Sequence, residues 1–194
     1  MGAIIDELDQ RLIDFIGRQP FFTVATAAAS GRISCSPKGM DALRVLDPQR
    51  LVWANMTGSG NETDAHLLAD GRITIMWSSF AEKPLILRVY GRGRCVYAGD
   101  GEWDGFAALF AHLPEIRQIV VVAVESVQTS CGFGVPRMEL IGQRSRLRQW
   151  AEGKGAEGLL AYQRKQNRTS IDGLPTALAT RIEDRPPADG PASG

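Results

Sequence analysis

Leu51-Val52-Trp53-Ala54-Asn55-Met56-Thr57-Gly58-Ser59-Gly60-Asn61-Glu62-Thr63 is the stretch on which the fold turns. It reads as a buried apolar strand, a glycine-rich turn, and a helix carrying Ala65, Leu67 and Leu68. Ser59 and Glu62, three apart, match a capping box, so the helix is expected to start at Ser59 or Asn61. The first N–H groups of a helix lack internal partners and carry the positive end of its dipole. A glycine loop feeding such an end can wrap a phosphate, or it can be an ordinary capped turn. Strand signals resume at Arg72, and along the chain the strands are not regularly interleaved with crossover helices, so a doubly wound parallel fold is not expected.

Working outward, the same short spacing recurs. Ile5, Leu8, Leu12, Phe15 and Ile16 fit one opening helix that ends before Pro20. Phe21–Ala27 and Arg32–Ser36 read as a hairpin across Gly31, Arg44–Leu46 and Leu51–Asn55 as two more strands. Arg72–Trp77 follows, then Leu85–Tyr97, the longest candidate strand. Its one face carries Leu85, Leu87, Val89, Gly91, Gly93 and Cys95, the other Arg88, Tyr90, Arg92 and Arg94. The glycines point to a bulge or a close neighbour, the arginines to solvent or a subunit contact. Trp103, Phe106, Phe110 and Leu113 mark a helix, and Ile119–Ser130 a central strand, apolar on both faces at its start. A short Met138–Ile141 segment and helical stretches around Leu147–Trp150 and Leu159–Tyr162 come last. Residues 1–184 are read as one domain and 185–194, without large apolar residues, as a disordered tail. The expectation is a mainly β protein with flanking helices, an antiparallel split barrel of Greek-key type.

Composition narrows the function. Lys plus Arg equals Asp plus Glu, 22 each, which argues against broad nucleic-acid binding. Three scattered cysteines favour free thiols, the start has no signal-peptide pattern, and no apolar run approaches membrane length. A cytoplasmic protein is expected. The glycine motif is not a dinucleotide fingerprint, since Thr63 stands where a third glycine belongs, and no Walker lysine follows. Two histidines and no cysteine pair at ligand spacing give no metal site, and His66 reads as a half-buried surface residue.

Two further polar clusters accompany Thr57–Glu62. In Ser34-Cys35-Ser36-Pro37-Lys38-Gly39, Ser34 and Ser36 share a face and Lys38 offers a charge to a phosphate. In Gln128–Pro136, the small polar residues with Phe133 suit the edge of a flat ligand, or a tight bend.

In this order the clusters resemble the pyridoxamine 5′-phosphate oxidase-like family of flavin-binding split barrels, over about Phe15 to Pro175. The resemblance implies a homodimer with two FMN sites at its interface, each built from both chains. It places Ser34, Cys35, Ser36, Pro37 and Lys38 along the flavin ring and ribityl chain. Thr57, Gly58, Ser59, Gly60, Asn61 and Glu62 fall at the phosphate end, with Trp77, Ser130, Cys131 and Phe133 also at the cofactor. Two departures stand out. Ser59-Gly60-Asn61 replaces a Ser-Arg-Lys clamp, leaving Lys38 and main-chain donors to hold the phosphate. Arg181–Gly194 reads as a tail where the family carries an arginine- and tryptophan-containing segment that holds the substrate, so oxidation of pyridoxamine phosphate itself is not expected. The resemblance implies an FMN-dependent oxidoreductase of unassigned substrate. The alternatives are a deazaflavin-dependent reductase or a non-catalytic flavin- or haem-binding protein.

Overall fold

A computed structural model describes residues 2–183. The tail expected over 185–194 lies outside the described residues. The elements run β1 (Ile4–Ile5), α1 (Gln10–Gly17), β2 (Phe22–Thr26), β3 (Ser34–Lys38), β4 (Leu43–Asp47), β5 (Arg50–Asn55), α2 (Glu62–Ala69), β6 (Arg72–Ser78), β7 (Ile86–Val96), α3 (Trp103–Ala108), β8 (Gln118–Ser130), α4 (Arg146–Gln166) and α5 (Leu178–Arg181).

One antiparallel sheet has the order β3-β2-β6-β7-β8-β5-β4, curled into an open barrel with its two edges unpaired. Period-2 alternation sets the inner face. Phe22, Val24, Ile73, Ile75, Trp77, Leu87, Val89, Val120, Val122 and Val127 share one core with Leu51 and Trp53. Both faces of β5 and early β8 are buried, because α3 and its successor residues Phe110 and Leu113 cover Val52, Ala54, Ile119 and Val121 from outside. That is why Ile119–Val122 reads apolar without alternation. Leu67 of α2 packs toward Gly93 and joins the same core.

One expectation needs correction. The opening helix begins at Gln10, capped by Asp9, whose Oδ1 accepts from Leu12 N at 2.8 Å. Ile4–Ile5 instead pair with Val127 and Gln128 as β1, because β5 leaves the later part of β8 without a neighbour on that side. Met138–Ile141 forms no strand, only an exposed stretch pinned by Met138 N to Phe80 O at 3.0 Å. The two C-terminal helical stretches are joined across Gly155, whose φ of 64° breaks the helical path of α4.

Candidate functional site

Ser34, Ser36 and Lys38 lie opposite Thr26, Val24 and Phe22 in register, so they face the barrel interior. Cys35 and Pro37 face outward and are exposed. The expected shared face of Ser34 and Ser36 is thus present, along the seam where the barrel stays open.

Lys38 reaches inward and places its ammonium 5.4 Å from the Trp53 ring centroid. No carboxylate lies within ion-pair distance of it among the described residues. Burial first, then repulsion from Arg117, pull its pKa down from 10.5 to about 8. Below it the Trp53 indole N–H is buried without an acceptor. A half-buried cation and a buried donor, both lacking partners, are costly unless something anionic completes them.

The loop from Thr57 to Asn61 does not cap its helix as expected. Asn61 is the N-cap and its side chain makes no capping bond. Glu62 turns away from Ser59 and accepts from Ile171 N through both oxygens, at 3.0 and 3.1 Å. Asn61 is spent on buried partners, Asp64 at 2.9 Å and Gln118 at 2.9 Å. Thr57 is held by Glu115 and Gln163. Ser59 and Gly60 remain exposed, and neither Gly58 nor Gly60 has positive φ, so the turn does not depend on glycine for its backbone angles.

His66 corrects another expectation. It is 1% exposed, not a surface residue, and its Nδ1 lies 3.1 Å from Thr26 Oγ1, while Nε2 has no partner. Thr26 is the register partner of Ser34, so this pair ties α2 to the strand that lines the seam. An isolated histidine in a helix carries no sequence signal for such a contact.

Trp77 is 2% exposed and packs against Phe22 at 6.2 Å between ring centroids, inside the core. Ser130 accepts from Arg88 Nη1 at 3.1 Å, Cys131 is exposed and Phe133 is 82% exposed. Within one chain this third cluster sits at the end of β8 beside Leu85, apart from the loop. Close to that end, a groove of about 1330 Å³ runs between Phe15, Phe21, Gly39, Phe80, Met138 and Leu140. The arginine stripe is engaged by its own chain: Arg92 binds Glu125 and Asp70 O, and Arg94 binds Glu102. Among the described residues no group of three or more His, Cys, Asp or Glu is placed to hold a metal, and no helix is long and apolar enough to cross a membrane.

A family model for pyridoxamine 5′-phosphate oxidase matches residues 8–131. A pyridoxamine 5′-phosphate oxidase family protein of Aspergillus flavus, ustO, is 35% identical over 203 residues, 95% of this chain and 81% of that protein. The crystal structure of HupZ from Group A Streptococcus aligns with a TM-score of 0.53 and 20% identity, over 62% of this chain and 91% of that one. A single-residue variant of HupZ gives 0.54 and 20%, over 63% and 98%. At that identity the HupZ likeness speaks for the fold.

Proposed function

The chain belongs to the pyridoxamine 5′-phosphate oxidase family, and from that premise we propose that it is an FMN-binding oxidoreductase that moves hydride to or from the flavin. The observation that carries this reading is Lys38: an enclosed cation without a counter-ion, on the inner face of the seam strand, over a Trp53 N–H that also lacks an acceptor. Such a pair fits an anionic, partly aromatic ligand. When bound, FMN supplies the redox chemistry, and the chain supplies binding and orientation. Ser34, Ser36 and Lys38 would line the ligand along β3, and the exposed turn at Ser59 and Gly60 would face its phosphate. No side chain here is assigned as acid or base.

The third cluster joins this site only through a second copy. Phe133, Met138, Leu140 and Ile141 are 82%, 62%, 61% and 100% exposed in the single chain. An apolar run of this kind is the mark of an interaction surface. We place it in a homodimer interface of more than about 2,000 Å², the size of obligate dimers.

Freshly purified protein mixed with FMN is expected to retain an oxidised-flavin spectrum through a sizing column and to scatter light as a dimer. A haem or deazaflavin spectrum in place of flavin would move the cofactor assignment, and loss of FMN on the column would overturn it. A monomer at micromolar concentration would remove the shared site.

A further inference from the structure

Between Arg50 and Arg72 the chain has no lysine or arginine, so the Thr57–Asn61 turn carries no cation of its own. It is followed at once by two carboxylates, Glu62 and Asp64, in the first turn of α2. A loop so composed should repel a phosphate. What lies behind it changes that.

Arg117 is 3% exposed. Its Nη1 donates to Gly60 O at 3.1 Å and to Asn167 Oδ1 at 2.7 Å, and its Nε to Gln118 Oε1 at 3.0 Å. All three hydrogen-bond partners are neutral, and the guanidinium charge is offset only in part, by Glu115 and Asp64, which lie near it without a hydrogen bond to it. Burial lowers its pKa only to about 10, which leaves it charged at neutral pH. Asn167, fully buried, returns its Nδ2 to Gly58 O at 3.0 Å. It is itself fixed as the C-cap of α4, its N–H donating to Gln163 O and its carbonyl accepting from Thr176 Oγ1 at 2.8 Å.

Two carbonyls of the loop are therefore tied to one buried pair. A trans peptide holds its N–H opposite its C=O in one plane. Fixing Gly58 O and Gly60 O on that pair thus points the N–H groups of Ser59 and Asn61 away from it, and neither N–H has a partner among the described residues. The two carboxylates are drawn off as well, Glu62 onto Ile171 N and Asp64 onto Tyr97 OH, Asn61 Nδ2 and Leu178 N. Lys38, which Arg117 repels, is a second cation without a counter-ion.

We infer that Arg117 and Asn167 are the positioning residues of the loop: they present the Ser59 and Asn61 amides to a phosphate monoester and set the fixed positive charge behind the loop, out of contact with the ligand. The inference rests on the loop being the phosphate end of the FMN site. Asn167 lies beyond residues 8–131, which the family model matches.

The test is the FMN-to-riboflavin preference of the full chain, since riboflavin lacks the phosphate. Asn167→Ala removes both bonds. Asn167→Asp keeps the shape and the Arg117 contact, loses the donor to Gly58 O and neutralises Arg117. Each is expected to lower FMN affinity about tenfold, with Asn167→Asp the lower, and riboflavin affinity by less than about twofold. A folded variant whose preference equals that of wild type, with only its thermal midpoint reduced, would make Asn167 a plain helix cap and overturn the inference. If wild type itself shows no preference, the phosphate reading and the inference fall together; if wild type alone shows one, both stand. Hydrogen exchange in wild type tests the same point without a variant. Ser59 and Asn61 amides should slow with FMN and not with riboflavin, and equal slowing, or none, refutes it.

Discussion

Lys38→Met is expected to lower FMN affinity by roughly ten- to a hundredfold at neutral pH while changing riboflavin affinity by less than about twofold, because one charge-assisted contact to the phosphate is lost and the apolar stem is kept. The pH profile identifies the group. In the empty protein Lys38 titrates at about 8. A bound anion favours the ammonium, so FMN binding is full below pH 8 and weakens as pH rises through it, by up to about tenfold per unit. The variant should be flat over that range and meet wild type at high pH. Stability moves the other way. The folded pKa lies below the unfolded 10.5, so the unfolded chain binds more protons between about 8 and 10.5. Empty wild type should therefore gain stability over Lys38→Met as pH rises through that window. Equal losses for FMN and riboflavin, or a wild-type profile as flat as the variant's, would remove Lys38 from the phosphate.

Gly91→Ala is expected to cost about 3 kcal/mol, the upper part of the range for overpacking a core. A methyl there would sit 2.1 Å from Ala123 O and 3.1 Å from its carbonyl carbon. The obstacle is the backbone of β8 at the point where the β7–β8 register shifts between Tyr90 and Gly91, so the longest ladder of the barrel must move. Gly93→Ala is the control. Its methyl would meet side chains and no backbone, crowding Leu67 at 2.9 Å, which can change rotamer, and touching Ile73 at an ordinary 3.5 Å, so about 1 kcal/mol is expected. Urea midpoints at one protein concentration measure both, that concentration being fixed because the proposed dimerisation would add to apparent stability. A Gly91→Ala midpoint at or above that of Gly93→Ala would contradict the packing account.

The barrel was legible because strands announce themselves locally. Phe22–Thr26, Ser34–Lys38 and Arg72–Ser78 alternate with a period of two, and the bulge near Gly91 shows as glycines on an otherwise apolar face. Ile4–Ile5 was misread because Ile5 also fits the helical spacing, and only the vacant flank of β8 decides between the two. The site was half legible. The inward face of Ser34, Ser36 and Lys38 follows from alternation alone. The capping box at Ser59 and Glu62 is written in the sequence but unused, since Ile171 N–H, 109 residues away, takes the carboxylate instead. His66, Arg117 and Asn167 belong to no motif. Their roles come from a polar network closed by the chain's return over α2, and no local pattern encodes a contact at that range.

The bond from Asn167 to Gly58 also has a meaning in time. It spans 109 residues, so at synthesis rates of about 5–20 residues per second Gly58 leaves the ribosome roughly 5–20 s before its clamp does. All eight strands end at Ser130 and can pair before the clamp emerges. A nascent or prematurely stopped chain would then hold a fully paired sheet with an unset loop. On the proposed reading, cofactor loading would wait until Asn167 has been made, and a retained flavin would report that translation had passed that residue.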